Sequence, residues 1–311
     1  MDLDLFPPSL PVVATANDQD GGPDWLARLP SVVEELRERW SLRIGAPFHG
    51  GSCSWVAPVW RPDGEPAVLK VTWPHREAMG EAEGLRLWSG RGAVLLFEED
   101  RDHLAVLIER CEPGVTLAES AQLTPDRRLL IGAQLLYELW SVPLPQHTGL
   151  ESLADVTAEW ADLVETRMAR FKPDFDPGLV ALAAKLLREL PRGAAREVVV
   201  HGDFNPGNIL SAQRKPWLVI DAKPMIGDPG YDVWPLVSQI DDPFAYDDAQ
   251  RILTERMTLV AGMAGEDVRR LAAWALAREI EAALWRLEHP DTQSPVGSID
   301  KARALAKLAE L

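Results

Sequence analysis

The chain begins with short apolar runs and changes near residue 110 to long apolar stripes at helical spacing. Runs of four to seven apolar or alternating residues predict β-strands. Between the third and fourth runs, HREAMGEAEGLRLW has helical spacing and stops at Gly90 and Gly92. The pattern predicts an antiparallel sheet of about five strands with one inserted helix, ending near Arg110. The five strands are expected at LRIGAPF, WVAPVWR, AVLKVTW, AVLLFEE and HLAVLIER.

Two features precede this sheet. Residues 1–23 are rich in proline and polar residues, which predicts a flexible, loosely held leader. Ser31 followed by Glu34 has the spacing of a capping box and predicts that a helix begins there, through SVVEELRERW.

The second part of the chain is mainly helical. Helices are expected over Pro125–Val142, Ser152–Phe171 and Pro177–Leu190, and a strand over PWLVID interrupts the helical pattern before it resumes. The prediction is an α+β protein with two lobes. Its parts are a leader at 1–23, a sheet-rich lobe at 24–110, a connection at 111–114 and a helical lobe at 115–311.

Charge narrows the range of partners. The formal net charge of −16 disfavours a nucleic-acid partner and an anionic membrane surface, because both are bound through clustered Lys and Arg. It is compatible with a cationic small molecule.

Cys53 and Cys111 are the only cysteines, which argues against a disulfide framework. No apolar run approaches the ~18 residues of a membrane span. We therefore expect a cytoplasmic protein, either a monomer or a homodimer.

The stretch VVHGDFNPGNIL places several polar side chains between two apolar runs. Asp203 and Asn208 lie in this loop, and Asp221 ends the next strand. Phosphoryl transfer from ATP needs a carboxylate that accepts the proton of the attacking hydroxyl, and oxygen ligands for Mg²⁺. We assign Asp203 as the base and Asn208 and Asp221 as the metal ligands. The alternative is a plain turn, for which Asn-Pro-Gly-Asn is well suited.

A lysine in the third strand fits the same chemistry. Lys70 would contact the phosphates of the nucleotide, and a helix glutamate would hold it in place. Glu81 shares a helical stripe with Leu85 and Trp88, so we assign Glu81 to this pair and regard Glu77 and Glu83 as solvated. The alternative for Lys70 is an exposed strand lysine.

The turn between the first two strands is the third candidate. Gly50, Gly51 and Ser52 could bring backbone N–H groups and a hydroxyl to phosphate oxygens. The turn has neither of the common glycine-rich phosphate motifs, and a simple hairpin explains it nearly as well.

These motifs resemble a known family. HGDFNPGN is similar to the HGDxxxxN loop of the aminoglycoside phosphotransferase superfamily, whose fold is protein-kinase-like. WLVIDAKPMIGDPGYDVWPLV resembles the aminoglycoside/hydroxyurea resistance kinase branch, although Ala222 stands where that branch usually has proline. LIERCEPGVTL is similar to the hinge of this branch, which implies that backbone groups from Glu109 to Cys111 bind adenine.

The resemblance implies an ATP- and Mg²⁺-dependent kinase that phosphorylates a small-molecule hydroxyl, such as one on streptomycin. Two alternatives remain. One is a kinase for a metabolite such as an amino sugar or a hydroxyurea-like compound, and the other is a nucleotide-binding pseudokinase scaffold. The intact set of Lys70, Asp203, Asn208 and Asp221 argues against the scaffold.

The resemblance also suggests roles for residues near the loop. His201 is expected to bond the loop backbone, and Asp228 and Asp232 to anchor the loop. Three acidic residues near Trp285 are expected to meet a cationic acceptor: Glu279, Glu281 and Glu288.

Overall fold

The computed structural model describes residues 4–289 and 297–311. The chain forms two compact units. The first unit runs up to Gly114 and also contains Ser211–Leu218, and the second contains Val115–Leu210 and Val219–Leu311. The chain therefore enters the second unit, returns to the first for one short segment, and then re-enters the second.

The first unit is built on a five-stranded antiparallel sheet with the strand order β1-β2-β3-β5-β4. The helix α3 (Glu81–Trp88) follows β3, after a short 3₁₀ turn over Arg76–Gly80. The predicted sheet with one inserted helix is confirmed. The strands are β1 (Arg43–Ile44), β2 (Ser54–Trp60), β3 (Pro66–Thr72), β4 (Leu96–Asp100) and β5 (Ala105–Glu109).

The leader differs from the loosely held segment expected at 1–23. From Leu5 onward it packs within the first unit, and its helix α1 (Pro11–Asn17) contributes Val12 and Ala16 to the hydrophobic core. Proline opens this helix rather than breaking it, because the N–H that proline lacks would have no partner in the first turn. Residues 1–3 lie outside the described residues.

The capping box expected at Ser31 is also wrong. The helix α2 (Gly22–Arg39) begins nine residues earlier, and Ser31 lies inside it with its hydroxyl donating to the carbonyl of Arg28. Pro30 lies inside the same helix. Trp25 and Leu29 are buried ahead of Ser31, so tertiary packing extends the helix beyond its local cap signal.

The second unit is mainly helical and carries a small sheet with the order β6-β10-β7. Strands β6 (Glu151–Ser152), β7 (Val198–Val200) and β10 (Met225–Gly227) form it, with β10 parallel to β6 and antiparallel to β7. A separate two-stranded ribbon pairs β8 (Ile209–Ser211) with β9 (Trp217–Val219). β7 is fully buried and delivers the chain directly to His201.

Helix α9 (Val268–Glu288) forms the centre of the helical unit. It is buried on most of its surface, with Trp274, Leu276 and Ile280 fully inaccessible. Three other helices pack against it: α5 (Leu153–Phe171), α6 (Pro177–Glu189) and α10 (Ser298–Ala309). Within the described residues, no helix is both long and apolar enough to cross a membrane. The helices are α4 (Pro125–Trp140), α5 (Leu153–Phe171), α6 (Pro177–Glu189), α7 (Val233–Gln239), α8 (Ala249–Ala264), α9 (Val268–Glu288) and α10 (Ser298–Ala309).

Candidate active site

The loop after β7 is held by a buried carboxylate. Asp232 accepts the backbone N–H of His201 at 2.7 Å on one oxygen and that of Gly202 at 2.9 Å on the other. The indole N–H of Trp140, the last residue of α4, donates to the first of these oxygens at 3.1 Å. Burial raises the pKa of Asp232, and its N–H donors act in the opposite direction. The anchoring role predicted for Asp232 agrees with these contacts.

Gly202 occupies a position that only glycine fits. Its φ is +85°, and a Cβ added there would lie 2.0 Å from the carbonyl oxygen of Lys223. Lys223 in turn donates its backbone N–H to the carbonyl of His201 at 2.8 Å. The segment after Asp221 therefore packs tightly against the start of the loop.

The side chain of Asp203 is oriented by two amides. Asn205 Nδ2 donates to its Oδ1 at 3.0 Å, and Asn208 Nδ2 donates to its Oδ2 at 3.3 Å and to its backbone carbonyl at 3.0 Å. The Nζ of Lys223 lies 3.9 Å from Oδ2. The side chain is 31% exposed, so a carboxylate with a fixed orientation remains accessible to a substrate.

Asn208 and Asp221 are neighbours in space, as their assignment to one metal requires. The N–H of Ile220, the residue before Asp221, donates to the carbonyl of Asn208 at 3.0 Å, so the backbone at Asp221 lies close to that at Asn208. Asp221 has a φ of +58°, a left-handed conformation in which the chain turns back toward the loop.

The donor set fits Mg²⁺ bound together with a nucleotide. Among the described residues, no group of three or more His, Cys, Asp or Glu side chains is arranged to hold a metal. Mg²⁺ is typically held by one or two protein ligands, with phosphates and water completing its octahedron. The carboxylate of Asp221 and the amide oxygen of Asn208 suit that ion. The amide nitrogen of Asn208 already donates to Asp203, which leaves its oxygen for the metal.

His201 has a structural position. Its Nε2 bonds to the carbonyl of Ile220 at 3.1 Å and its Nδ1 accepts the N–H of Asp203 at 3.3 Å, so the ring is neutral with the proton on Nε2. Burial lowers the pKa of His201 from its ordinary value. The ring links the loop to the strand that carries Asp221, which agrees with the predicted backbone-bonding role.

Asp228 anchors the following turn. Its buried carboxylate accepts the indole N–H of Trp274 at 2.7 Å, the Nε of Arg270 at 2.9 Å and the N–H of Gly230 at 2.9 Å. These bonds tie the turn that leads to Asp232 to helix α9.

In the first unit, the predicted pair of Lys70 and Glu81 is present. Lys70 Nζ lies 2.8 Å from both carboxylate oxygens of Glu81, and both side chains are buried. Lys70 comes from the centre of β3, and Glu81 is the first residue of α3. The expectation of an exposed strand lysine is therefore excluded.

The glycine-rich turn lies between β1 and β2. Gly50, Gly51 and Ser52 are exposed, Gly51 has a φ of +88°, and a Cβ on Gly50 would meet nothing within 4 Å. The end of the turn is fixed, since Trp73 donates its N–H to the carbonyl of Cys53 at 2.8 Å. The role of Gly50, Gly51 and Ser52 in phosphate binding stays a prediction.

The proposed adenine-binding segment is fixed by Glu109. Its carboxylate accepts Arg214 Nε at 2.9 Å and the N–H of Leu95 at 3.0 Å. Arg214 also donates to the carbonyls of Gly90 and Ala93 at 2.8 Å each. The side chain of Glu109 therefore has a structural role and would leave only backbone groups for a ligand.

Burial, with Glu109 nearby, raises the pKa of Cys111 to about 12, so Cys111 remains a thiol.

The acidic residues expected to meet a cationic acceptor have arginine partners within the helical unit, which revises that interpretation. Arg167 lies 3.0 Å from both Glu281 and Glu288, and Arg170 lies 2.8 Å from Glu288. Glu279 is buried and accepts the indole N–H of Trp234 at 3.2 Å. Helical spacing along α9 could not reveal these partners, because Arg167 and Arg170 lie on α5 and Trp234 lies on α7.

The sequence reasoning missed two supporting residues, Trp140 and Arg214. Both act through bonds to residues 92 or more positions away. Their positions in the sequence are the signal that could have identified them. Trp140 ends a predicted helix, and Arg214 lies in the polar turn of a short hairpin.

Comparisons with known proteins agree with the resemblance. A profile of the aminoglycoside/hydroxyurea antibiotic resistance kinase family matches residues 39–289. A streptomycin 6-kinase of Streptomyces glaucescens is 36% identical over 285 residues, covering 91% of this chain and 91% of that protein. A hydroxyurea phosphotransferase of Kitasatospora aureofaciens is 33% identical over 284 residues, covering 91% of this chain and 81% of that protein.

The fold has a counterpart among solved structures. The crystal structure of a choline kinase from Streptococcus pneumoniae matches with a TM-score of 0.60 and 15% identity, over 90% of this chain and 99% of that chain. At this identity the match concerns the fold, and it confirms the kinase-like architecture predicted from the sequence.

The neutral state of His201 predicts a pH-dependent stability. Because burial lowers the pKa of His201, the folded protein binds this proton less readily than the unfolded chain does, so the contribution of His201 to stability falls as the pH drops below about 6.5. The stability advantage of wild type over His201→Gln should therefore be smaller at pH 5.5 than at pH 8, by up to about 1.4 kcal/mol. Urea unfolding at both pH values measures this.

The control for this experiment is His147→Gln, which removes an exposed imidazole. Its stability relative to wild type should be the same at both pH values. An advantage of wild type over His201→Gln that does not change with pH would contradict the neutral assignment.

Proposed function

The protein belongs to the aminoglycoside/hydroxyurea antibiotic resistance kinase family, and from this membership we propose that it transfers the γ-phosphoryl group of ATP to a hydroxyl of streptomycin. It is a small-molecule kinase. The observation that carries the choice of acceptor is the 36% identity to a streptomycin 6-kinase over 91% of both chains. Streptomycin is a cation, which suits a chain with a net charge of −16.

Asp203 is the proposed base. The acceptor hydroxyl would donate to its carboxylate and pass its proton there as the oxygen attacks the γ-phosphorus. Asn205 and Asn208 hold the two carboxylate oxygens, so the base is oriented before the substrate arrives. Pre-oriented groups lower the barrier because no reorganisation is needed in the transition state.

Asn208 Oδ1 and the Asp221 carboxylate are the proposed Mg²⁺ ligands. The ion would neutralise charge on the phosphates of ATP. The chain supports these ligands through the bond from Ile220 to Asn208 and through the left-handed turn at Asp221.

The nucleotide would be bound through residues of the first unit. Lys70, held by Glu81, is a buried cation suited to phosphate oxygens. We propose that backbone N–H groups at Gly50 and Gly51 and the Ser52 hydroxyl contact the phosphates, and that backbone groups between Glu109 and Cys111 contact adenine.

Hydroxyurea is a second candidate acceptor. A hydroxyurea phosphotransferase is 33% identical over 91% of this chain, only slightly below the identity of the streptomycin 6-kinase. Hydroxyurea is small and neutral, whereas streptomycin carries guanidinium groups that pair with carboxylates. The two acceptors are therefore readily distinguished by experiment.

A coupled ADP-release assay with a panel of acceptors tests the proposal. Streptomycin, hydroxyurea, an aminoglycoside without streptidine and a neutral amino-free sugar are supplied with ATP and Mg²⁺. We expect the highest kcat/KM for streptomycin. Faster phosphorylation of the neutral sugar than of every cationic antibiotic would refute the assignment and favour a metabolite kinase.

The base assignment predicts the phenotype of Asp203→Ala. Loss of the base should lower kcat by a factor of about 10²–10⁴, because positioned acid–base catalysis contributes that much. The dissociation constant of ATP should change little, since the base contacts the acceptor. Steady-state kinetics and nucleotide titration by tryptophan fluorescence separate the two effects, and a kcat within about twofold of wild type would show that the loop is only a turn.

The metal assignment predicts two different phenotypes. Asp221→Asn removes the only charged ligand, so activity should collapse at every Mg²⁺ concentration while the fold survives. Asn208→Ala removes a neutral ligand and should raise the Mg²⁺ concentration needed for half-maximal rate. Rates measured across a Mg²⁺ series, with circular dichroism as the folding control, check both. An unchanged Mg²⁺ dependence in both variants contradicts the assignment.

A further inference from the structure

Lys223 lies next to the proposed base and has no part in the roles proposed above for the base, the metal ligands and the nucleotide contacts. Its Nζ lies 3.9 Å from Oδ2 of Asp203, and its side chain is 37% exposed. No Lys or Arg occurs in the loop from His201 to Asn208. Lys223 is therefore a cation that reaches the base from the neighbouring segment.

The backbone of Lys223 is held firmly. Its N–H donates to the carbonyl of His201 at 2.8 Å, and its own carbonyl packs where a Cβ on Gly202 would lie. Pro224 follows and restricts Lys223 to an extended conformation. The left-handed turn at Asp221 precedes it. These constraints direct the side chain toward Asp203 with little freedom at its root.

The ammonium group of Lys223 lies close to the place where the acceptor oxygen and the γ-phosphorus would react. The acceptor oxygen has to lie about 3 Å from the carboxylate of Asp203, and the γ-phosphorus about 3–3.5 Å beyond that oxygen. An ammonium group on a flexible stem, 3.9 Å from the same carboxylate, can reach the oxygens of that phosphoryl group. The carboxylate and the phosphoryl group are both negative, so a cation beside them reduces their repulsion.

We propose that Lys223 is a catalytic residue that donates hydrogen bonds from its ammonium group to the γ-phosphoryl oxygens during transfer. The acceptor oxygen forms a bond to phosphorus, and its proton passes to Asp203. The bond from phosphorus to the bridging oxygen of the β-phosphate breaks, and ADP leaves with that electron pair. Lys223 keeps its proton and stabilises the charge on the transferring group. The proposal rests on the proposed function for its nucleotide and its base.

The alternative is a positioning role, in which Lys223 only orients Asp203 through the ion pair. The two roles differ in their effect on nucleotide affinity. A lysine that contacts the γ-phosphoryl group contributes to the binding of ATP but not of ADP, whereas a lysine that only orients Asp203 contributes to neither.

Lys223→Met tests this in the full-length protein with Mg²⁺ present. We expect kcat to fall by roughly 10²-fold, the typical loss on removing one donor to a developing charge. The dissociation constant of ATP should rise by about threefold to tenfold while that of ADP stays within about twofold of wild type. Lys223→Arg should recover a large part of kcat, since it restores a cation that can donate to phosphate.

Lys185→Met is the matched control, because it removes the same charge from an exposed position on α6. It should leave all three quantities unchanged. The proposal is overturned if Lys223→Met keeps kcat within about threefold of wild type. It is equally overturned if ATP and ADP affinities change together, or if neither changes.

The test remains separate from that of the proposed function. Transfer of the γ-phosphoryl group to water can be measured without any acceptor, and the same comparison of variants applies to it. If wild type phosphorylates none of the aminoglycosides, the streptomycin assignment fails while the hydrolysis rates and nucleotide affinities still decide the role of Lys223.

Discussion

The buried carboxylate of Asp232 is the constraint on which the loop from His201 to Asn208 depends. It binds two consecutive backbone N–H groups, those of His201 and Gly202, and the indole of Trp140. A carboxylate out of contact with water is costly unless its oxygens accept hydrogen bonds, so the fold keeps these donors in place. Because the two N–H groups immediately precede Asp203, fixing them sets the direction in which the chain presents the proposed base.

The grouping of the candidate residues of the loop could be predicted from the sequence because its determinants are local. Asp203 and Asn208 lie five residues apart in one loop, and Asp221 follows two residues after the end of β9, which pairs with the strand that leaves that loop. The partner of Lys70 was predictable for a similar reason. Of Glu81 and Glu83, helical spacing placed only Glu81 on the stripe of Leu85 and Trp88, and the structure pairs Glu81 with Lys70.

The remaining features depend on contacts that a sequence pattern does not encode. The apolar residues of the leader are too few to predict a buried segment until the first unit supplies a surface for them. Ser31 has the local signature of a helix start, but the packing of Trp25 and Leu29 extends the helix past it. Glu281 and Glu288 of α9 acquire an arginine partner from α5, Arg167, which lies more than a hundred positions away in the sequence.

The return of the chain to the first unit at Ser211–Leu218 constrains how the first unit could be exchanged by recombination. Arg214 lies in that segment and binds Glu109 together with the carbonyls of Gly90 and Ala93. A single recombination point at Gly114 would therefore exchange most of the first unit but leave behind the arginine that supports it. Since Asn208 and Asp221 flank this segment, exchanging it as well requires two further crossovers within a few residues of the proposed metal ligands. Exchange of the first unit by recombination would therefore have to preserve both breakpoints that bound this segment.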